Sequence, residues 1–131
     1  MGIQHYMPEN EPILISILYD SLDIVDVKEL FTYVDEMITK RNLSHLYWIG
    51  DSKAVDASRE TILKAIESTI IGKKGTGGDI RIIPLLVMDE DLHQFFIGEF
   101  RNRYDWANFP AFTNVYEAYT FVQFIQCLQN E

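Results

Sequence analysis

The stretch IRIIPLLVM, residues 80–88, constrains the fold of this chain more than any other, because nearly every position in it is apolar. A strand that is buried on one face alternates apolar and polar residues, whereas a strand that is buried on both faces is apolar throughout. We therefore expect a central strand whose two faces are both covered by helices. Pro84 interrupts the run and removes one backbone donor from the hydrogen-bond ladder of the strand.

Three other strand-like runs alternate with four helical patterns along the chain. Apolar residues recur three and four positions apart in the helical patterns, which is typical of half-buried helices. The strands are predicted at 13–19, 45–49, 80–88 and 103–109, and the helices at about 25–41, 56–71, 91–100 and 114–128. This alternation predicts an α/β domain in which right-handed crossovers join mostly parallel strands. The expected architecture is flavodoxin-like, with three layers, about four strands and about four helices.

Length and composition predict one compact domain that spans residues 1–131. An apolar content of 47% and an aromatic content of 13% supply a core and argue against a disordered adaptor. The apolar runs have the length of strands and are too short for membrane-spanning helices. Residues 1–11, which include Pro8, are expected to form a mobile N-terminal tail.

The formal net charge of −9 restricts the class of partner. Nucleic acids and anionic membranes are bound through Lys and Arg, so neither is expected as the main partner. A basic protein or a metal cation suits this charge, and the charge can also serve solubility alone. Cys127 is the only cysteine, which excludes an intramolecular disulfide and a cysteine zinc cage and favours a reducing, cytoplasmic compartment.

The stretch GKKGTGGD, residues 72–79, is glycine-rich like a phosphate-binding loop. A phosphate-binding loop leads from a strand into a helix, because the helix N-terminus then aims free N–H groups at the anion. This stretch leaves a helix and enters a strand instead. We interpret it as a connecting loop, with Gly72 as the left-handed residue that ends the preceding helix.

Acidic residues follow each of the first three predicted strands. Because the carboxyl ends of parallel strands meet at one edge of a sheet, these residues are expected to lie together, and we call them the acidic rim. The acidic rim comprises Asp20, Asp23, Asp26, Asp51, Asp56, Asp89, Glu90 and Asp91.

Three interpretations of the acidic rim remain open. Asp is common at helix N-caps and in the turns before helices, so the acids can be purely structural. Carboxylates at strand ends also bind Mg²⁺ in several enzyme classes, and Asp89 and Asp91 form a D-x-D pattern. The third interpretation is an acidic face that docks a basic protein.

For the docking interpretation we predict a set of partner-binding residues. Arg103 and Trp106 are included because they belong to RNRYDWANFP, a segment of residue types that are enriched in binding hot spots. The predicted set is Asp20, Asp23, Asp51, Asp89, Glu90, Asp91, Arg103 and Trp106.

Residues of other catalytic chemistries are scattered. His5, His45 and His93 are far apart in the sequence, and no carboxylate at metal-ligand or dyad spacing stands out beside them. Ser52 and Ser58 lack the G-x-S-x-G pattern of a hydrolase nucleophile. We therefore assign no catalytic residue, no metal ligand and no cofactor.

The runs ILISILYDSLD, YWIGDSKAVDASRETILKAIEST and IRIIPLLVMDEDL together resemble the pattern of TIR (Toll/interleukin-receptor) domains. In that pattern an acidic loop follows the first strand, Trp and Asp end the second strand, an "I…AI" helix follows, and a later strand reads "IIPVLV". The likeness is carried by Trp48, Asp51, Ile62, Ala65, Ile66 and residues 82–87. The resemblance implies a scaffold for protein–protein contacts.

The resemblance does not extend to an enzyme. Enzymatic TIR domains carry their catalytic Glu in a strand-plus-helix segment between the "AI" helix and the "IIPVLV" strand. This chain has only GKKGTGGD there, so no catalytic residue is carried over and cleavage of NAD is not expected.

In size and charge the chain is similar to small acidic bacterial immunity proteins and antitoxins. We accordingly predict a non-enzymatic module that neutralises a basic, nuclease-like toxin through the acidic rim. The alternative is a metal-dependent enzyme or a signalling domain that acts on a phosphate or nucleotide at the same rim.

Overall fold

The structure is a computed structural model that describes residues 2–70, 75–76, 79–100, 102 and 109–129, with only the backbone described at 24, 69, 70, 99 and 100. The strands are β1 Gly2–Tyr6, β2 Ile13–Ser21, β3 Leu46–Asp56, β4 Ile82–Val87 and β5 Ala111–Phe112. The helices are α1 Ile24–Arg41, α2 Arg59–Ile70, α3 Glu90–Phe95 and α4 Val115–Gln129. A π-helical turn, Phe96–Phe100, directly continues α3.

The predicted α/β class and the mostly parallel sheet are confirmed. The described strands form a five-stranded sheet in the order β1-β2-β3-β4-β5, in which β1 is antiparallel to β2 and the other neighbours are parallel. This sequential order differs from the flavodoxin-like order, which reverses direction within the sheet. Because every crossover steps in the same direction, right-handed connections place α1, α2 and α3 on one face.

The two faces of the sheet are covered unequally. On the first face α1 packs on one cluster of buried residues, and α2 and α3 pack on a second, separate cluster. The opposite face is covered by α4 in the described part of the chain. Ala118 and Val122 of α4 lie against alternate residues of the three central strands. Those strand residues are Ile13, Ile15, Tyr47, Ile49, Leu85 and Val87.

The prediction of a mobile tail at residues 1–11 is wrong for its first half, because Gly2–Tyr6 forms β1. Ile3 packs against the α1 cluster, and His5 stacks on Tyr33 of α1 with the ring centroids 4.2 Å apart. The segment is short and mixes polar and apolar residues, so its sequence alone did not indicate an edge strand.

A chain of hydrogen bonds fixes β1 to the sheet interior. The indole Nε1 of Trp48 donates to the Oγ of Ser16 at 2.9 Å, and the same oxygen lies 2.9 Å from Nδ1 of His5. The Ser16 hydroxyl has one proton and two lone pairs, so it accepts from the indole and pairs with His5 Nδ1 as donor or acceptor according to the tautomer of the imidazole. Burial lowers the pKa of His5 below its usual range.

A second polar cluster fixes the start of β4 to α1. The guanidinium of Arg81 lies 2.6 Å from Asp79 Oδ2 and 2.7 Å from Asp35 Oδ1 of α1. Asp79 is buried and also accepts from the backbone N–H of Gly75 at 2.8 Å. Arg81 holds the pKa of Asp79 well below its usual range, and the two carboxylates raise the pKa of Arg81.

The glycine-rich stretch 72–79 is only partly described. At Gly75, φ is +81°, and an added Cβ would collide with the backbone carbonyl of Phe31. Only glycine fits so close to α1, so Gly75 serves packing in the described part of the loop. The predicted cap at Gly72 lies outside the described residues.

One strand prediction is corrected, and another falls almost wholly outside the described residues. The second strand does not end at residue 49, because β3 continues to Asp56 and pairs with β2 as far as Ser21. The predicted strand at 103–109 lies almost wholly outside the described residues, and Ala111–Phe112 pairs with the end of β4.

Pro84 is tolerated in β4 because of where β5 lies. Leu86 and Met88 donate their N–H groups toward β5, to the carbonyls of Pro110 and Phe112. The backbone nitrogen of residue 84, two positions before Leu86, faces the same side of β4. The pairing of β4 with β5 starts only at Leu86. Among the described residues, the donor that proline lacks would therefore have no strand partner.

We expect the folded chain to lose stability as the pH falls below 6.5, the ordinary pKa of histidine. Since burial lowers the pKa of His5 in the folded state, the unfolded chain binds a proton there that the folded chain does not. The stability is full above that pH and is lost as the pH falls toward the lowered pKa. Urea unfolding at a series of pH values measures this effect. His5→Gln should make the free energy of unfolding less dependent on pH below 6.5. An unchanged pH dependence in this variant would rule out His5 as its source.

We expect Asp79→Asn to lower the free energy of unfolding by about 2 kcal/mol, because it removes charge-assisted hydrogen bonds at a buried site. The matched control is Glu60→Gln, which breaks the exposed pair with Lys64 and should cost about 0.5 kcal/mol or less. Since the pKa of Asp79 is lowered, the difference from wild type should be present above pH 3.8 and shrink as the pH falls below it. Equal losses for the two variants in denaturant titrations would contradict this account.

Candidate functional site

The ends of β2 and β3 carry three exposed carboxylates, which we call the β2–β3 acids: Asp20, Asp23 and Asp56. Asp20 adopts a left-handed conformation with φ of 63° and lies opposite Val55 in the sheet. Asp23 is the N-cap of α1, and its Oδ1 accepts from the backbone N–H of Val25 at 2.8 Å. Asp56 ends β3 and pairs with Ser21.

A second group, which we call the α3 acids, stands at the start of α3. Asp89 is the N-cap, and its Oδ1 accepts from the backbone N–H of Leu92 at 2.8 Å. Glu90 and Asp91 occupy the first helical turn with exposed side chains. Carboxylates in this position are stabilised by the helix dipole. Helix capping therefore accounts for Asp23 and Asp89, and it leaves Asp20, Glu90 and Asp91 exposed without a capping bond.

The two groups stand at different heights along the sheet. Val87, the last residue of β4, is level with Asp51 of β3, and β3 continues for five residues beyond it to Asp56. At the rise of a β-strand this is on the order of 15 Å. The β2–β3 acids therefore stand on a protruding two-stranded ribbon, and the α3 acids lie below them beside β4. Such a spread suits an extended contact surface better than a single metal ion.

Asp51 does not belong to this surface. It lies inside β3 between Ile17 and Val87, is 7% exposed, and accepts from the backbone N–H of Lys53 at 3.0 Å. The prediction that Asp51 follows its strand is wrong, because the strand extends past it and turns its side chain into the sheet. Asp51 therefore offers a partner no accessible carboxylate. Arg103 and Trp106 lie outside the described residues.

Within the described part of the chain, no three His, Cys, Asp or Glu side chains come close enough to hold a metal ion. The candidate nucleophiles have structural partners. Ser52 Oγ donates to the carbonyl of Val87 at 3.1 Å, and Ser58 Oγ accepts from the backbone N–H of Thr61 at 3.2 Å as the cap of α2. His93 Nε2 lies 3.1 Å from the carbonyl of Ala111 and ties α3 to β5.

An apolar opening of about 100 Å³, which we call the α1–α2 cleft, lies between α1 and α2 on the first face of the sheet. It exists because the two helices pack on separate clusters of the core. The lining residues are Leu18, Leu22, Val27, Leu30, Phe31, Trp48, Gly50, Ser52, Val55, Ile62, Ala65, Ile66, Pro84, Leu86, Val87 and Met88.

Gly50 is the residue that opens the floor of the cleft. It lies within β3, and a Cβ added to it would meet no atom within 4 Å. The polar side chains in the lining are already hydrogen-bonded, Ser52 to Val87 and Trp48 to Ser16. The cleft therefore suits an apolar group without hydrogen-bonding demands. Sequence reasoning missed it, although a glycine inside a strand can mark the close approach of a ligand.

None of the helices among the described residues is long and apolar enough to cross a membrane.

No protein-family model matches this sequence, and no curated protein matches it. The fold is similar to that of a solved anti-sigma factor antagonist from Mycobacterium paratuberculosis, with a TM-score of 0.51 over 93% of this chain and 95% of that chain. The two sequences are 14% identical. At this level of identity the likeness shows the fold alone, and it agrees with the α/β architecture described above.

We expect Gly50→Ala to raise the free energy of unfolding by about 0.5–1 kcal/mol, because alanine restricts the unfolded chain more than glycine does. The space for its methyl group is already present. Gly2→Ala is the contrasting variant, since its Cβ would meet the ring of Tyr19. Thermal and urea unfolding measure both changes. A loss of stability in Gly50→Ala would show that the cleft is not open in solution.

Proposed function

We propose that this protein is a non-enzymatic binding module that engages a basic protein partner through the β2–β3 acids and the α3 acids. In the finer form of the proposal, it is a cytoplasmic inhibitor of the immunity or antitoxin type, and its partner is a basic, nuclease-like toxin. Carboxylates would then occupy the positive surface on which the toxin binds nucleic acid.

The observation that carries the proposal is the exposed, unneutralised charge at one edge of the sheet. In the described part of the chain, the salt bridges join Lys64 to Glu60 and Arg81 to Asp35 and Asp79. Asp20, Glu90 and Asp91 take part in none of them. The whole chain carries a net charge of −9, so this edge strengthens an attraction for basic partners that acts over the entire surface.

The enzyme alternative has less support from the geometry. A metal-dependent enzyme needs several carboxylates around one ion. The described residues gather no such group, and the height difference between β3 and β4 separates the acids. The solved structure of similar fold is named for counteracting another protein, which favours binding over catalysis as the class of function.

To test the proposal, the partner is captured from a lysate of the host at low and at high salt and then purified. Association is measured with a rim variant, Asp20→Asn/Glu90→Gln/Asp91→Asn, in which asparagine keeps the left-handed backbone at position 20 accessible. We expect association to slow by about tenfold at low salt, with a smaller change in the dissociation rate.

The matched control is Glu9→Gln/Glu11→Gln/Glu36→Gln, which removes the same charge from the turn before β2 and from the middle of α1, and glutamine at position 11 can still accept the hydrogen bond of Tyr119. It should leave association close to that of wild type. If the rim and control variants slow association equally, the edge has no special role. If no basic partner is retained at either salt concentration, the proposed function fails for the proteins in that lysate.

A further inference from the structure

We propose that the α1–α2 cleft receives an apolar side chain of the basic partner, while the β2–β3 acids contact lysines or arginines beside that side chain. This inference rests on the proposed function and adds to it the chemistry of the bound segment. The segment would carry an aliphatic or aromatic anchor residue flanked by positive charges.

The interior of the cleft determines the apolar part of this specificity. Its walls are aliphatic and aromatic side chains, and its floor is open at Gly50. Trp48 and Ser52 have their hydrogen-bonding groups already satisfied. A polar group that entered the cleft would lose its bonds to water without replacement, whereas an apolar side chain would gain burial.

The acids beside the mouth of the cleft determine which charge is preferred next to the anchor residue. Leu22 lines the cleft and stands between Asp20 and Asp23 in the chain, and Val55 lines it next to Asp56. Asp20 also lies opposite Val55 in the sheet, so the three carboxylates flank one end of the opening. A cation beside the anchor residue would be attracted to that end, and an anion would be repelled.

Charge also argues against a second copy of this chain as the occupant. Each copy carries a net charge of −9, so two copies would bring their acidic surfaces toward each other. A neutral apolar molecule would gain nothing from the carboxylates. The arrangement of apolar floor and acidic mouth therefore favours a basic protein segment.

The experiment uses two fluorescent peptides as probes of this chemistry. One consists of lysine and leucine with leucine at helical spacing, and the other replaces every leucine by serine at the same charge. We expect the wild-type protein to bind the lysine–leucine peptide at least about tenfold more tightly, which corresponds to the burial of one apolar side chain.

Two variants fill the cleft, Gly50→Leu from its floor on β3 and Ala65→Leu from its wall on α2. Thermal unfolding confirms that each is folded, and the second variant serves if the first is not. Both should reduce the affinity for the lysine–leucine peptide to that of the lysine–serine peptide. An unchanged preference for leucine in a folded variant, or no preference in wild type, overturns the inference.

A third variant separates this inference from the proposed function. Asp20→Asn/Asp23→Asn/Asp56→Asn neutralises the mouth, and asparagine can still cap α1 at position 23. If this variant lowers the affinity for both peptides while the cleft variants leave both affinities unchanged, the acidic edge still binds the basic partner and the cleft assignment fails. If it changes the affinity for neither peptide, the basic-partner proposal fails at this edge.

Native mass spectrometry of the purified protein tests for a different occupant of the cleft. An apolar small molecule that is bound to wild type and absent from Gly50→Leu would assign the cleft to a free ligand and overturn the inference.

Discussion

The common direction of the crossovers determines the positions of both the α1–α2 cleft and the acidic edge. Parallel strands in sequential order, joined by right-handed connections, force α1, α2 and α3 onto the same face of the sheet. Three helices side by side on a twisted sheet need not all touch, and here α1 packs on one cluster while α2 and α3 pack on another. The α1–α2 cleft is the space between those clusters. The same order brings the carboxyl ends of β2, β3 and β4 to one edge, where the acids stand.

Polar contacts hold α1 in the position that keeps this space open. On one side Tyr33 stacks on His5 of β1, and on the other Asp35 binds Arg81 at the start of β4. Further buried interactions hold the partners of α1 in place. Ser16 hydrogen-bonds to both His5 and Trp48, and buried Asp79 forms an ion pair with Arg81. Buried polar groups of this kind are costly unless all of their bonds are made, so they define one position for the helix.

The sequence predicted the regular helices and the buried strand closely, because burial imposes a clear apolar period. The helix predicted at about 25–41 is Ile24–Arg41, and the helix predicted at about 114–128 is Val115–Gln129. The missed features are those that lack such a period. The end of β3, DSKAVD, is polar because it protrudes beyond β4 as a two-stranded ribbon, so its sequence resembles a loop. The α1–α2 cleft depends on an absent side chain at Gly50, which no pattern of apolar residues reveals.

The central claim is that a protein partner binds across the β2–β3 ribbon and the α1–α2 cleft together. Hydrogen–deuterium exchange of the chain, alone and saturated with its purified partner, tests this most directly. We expect the partner to slow exchange in residues 20–27, 50–56 and 59–66 and to leave α4 on the opposite face unchanged. Slowed exchange confined to α4 or β1, with the ribbon and the cleft unaffected, would contradict the account.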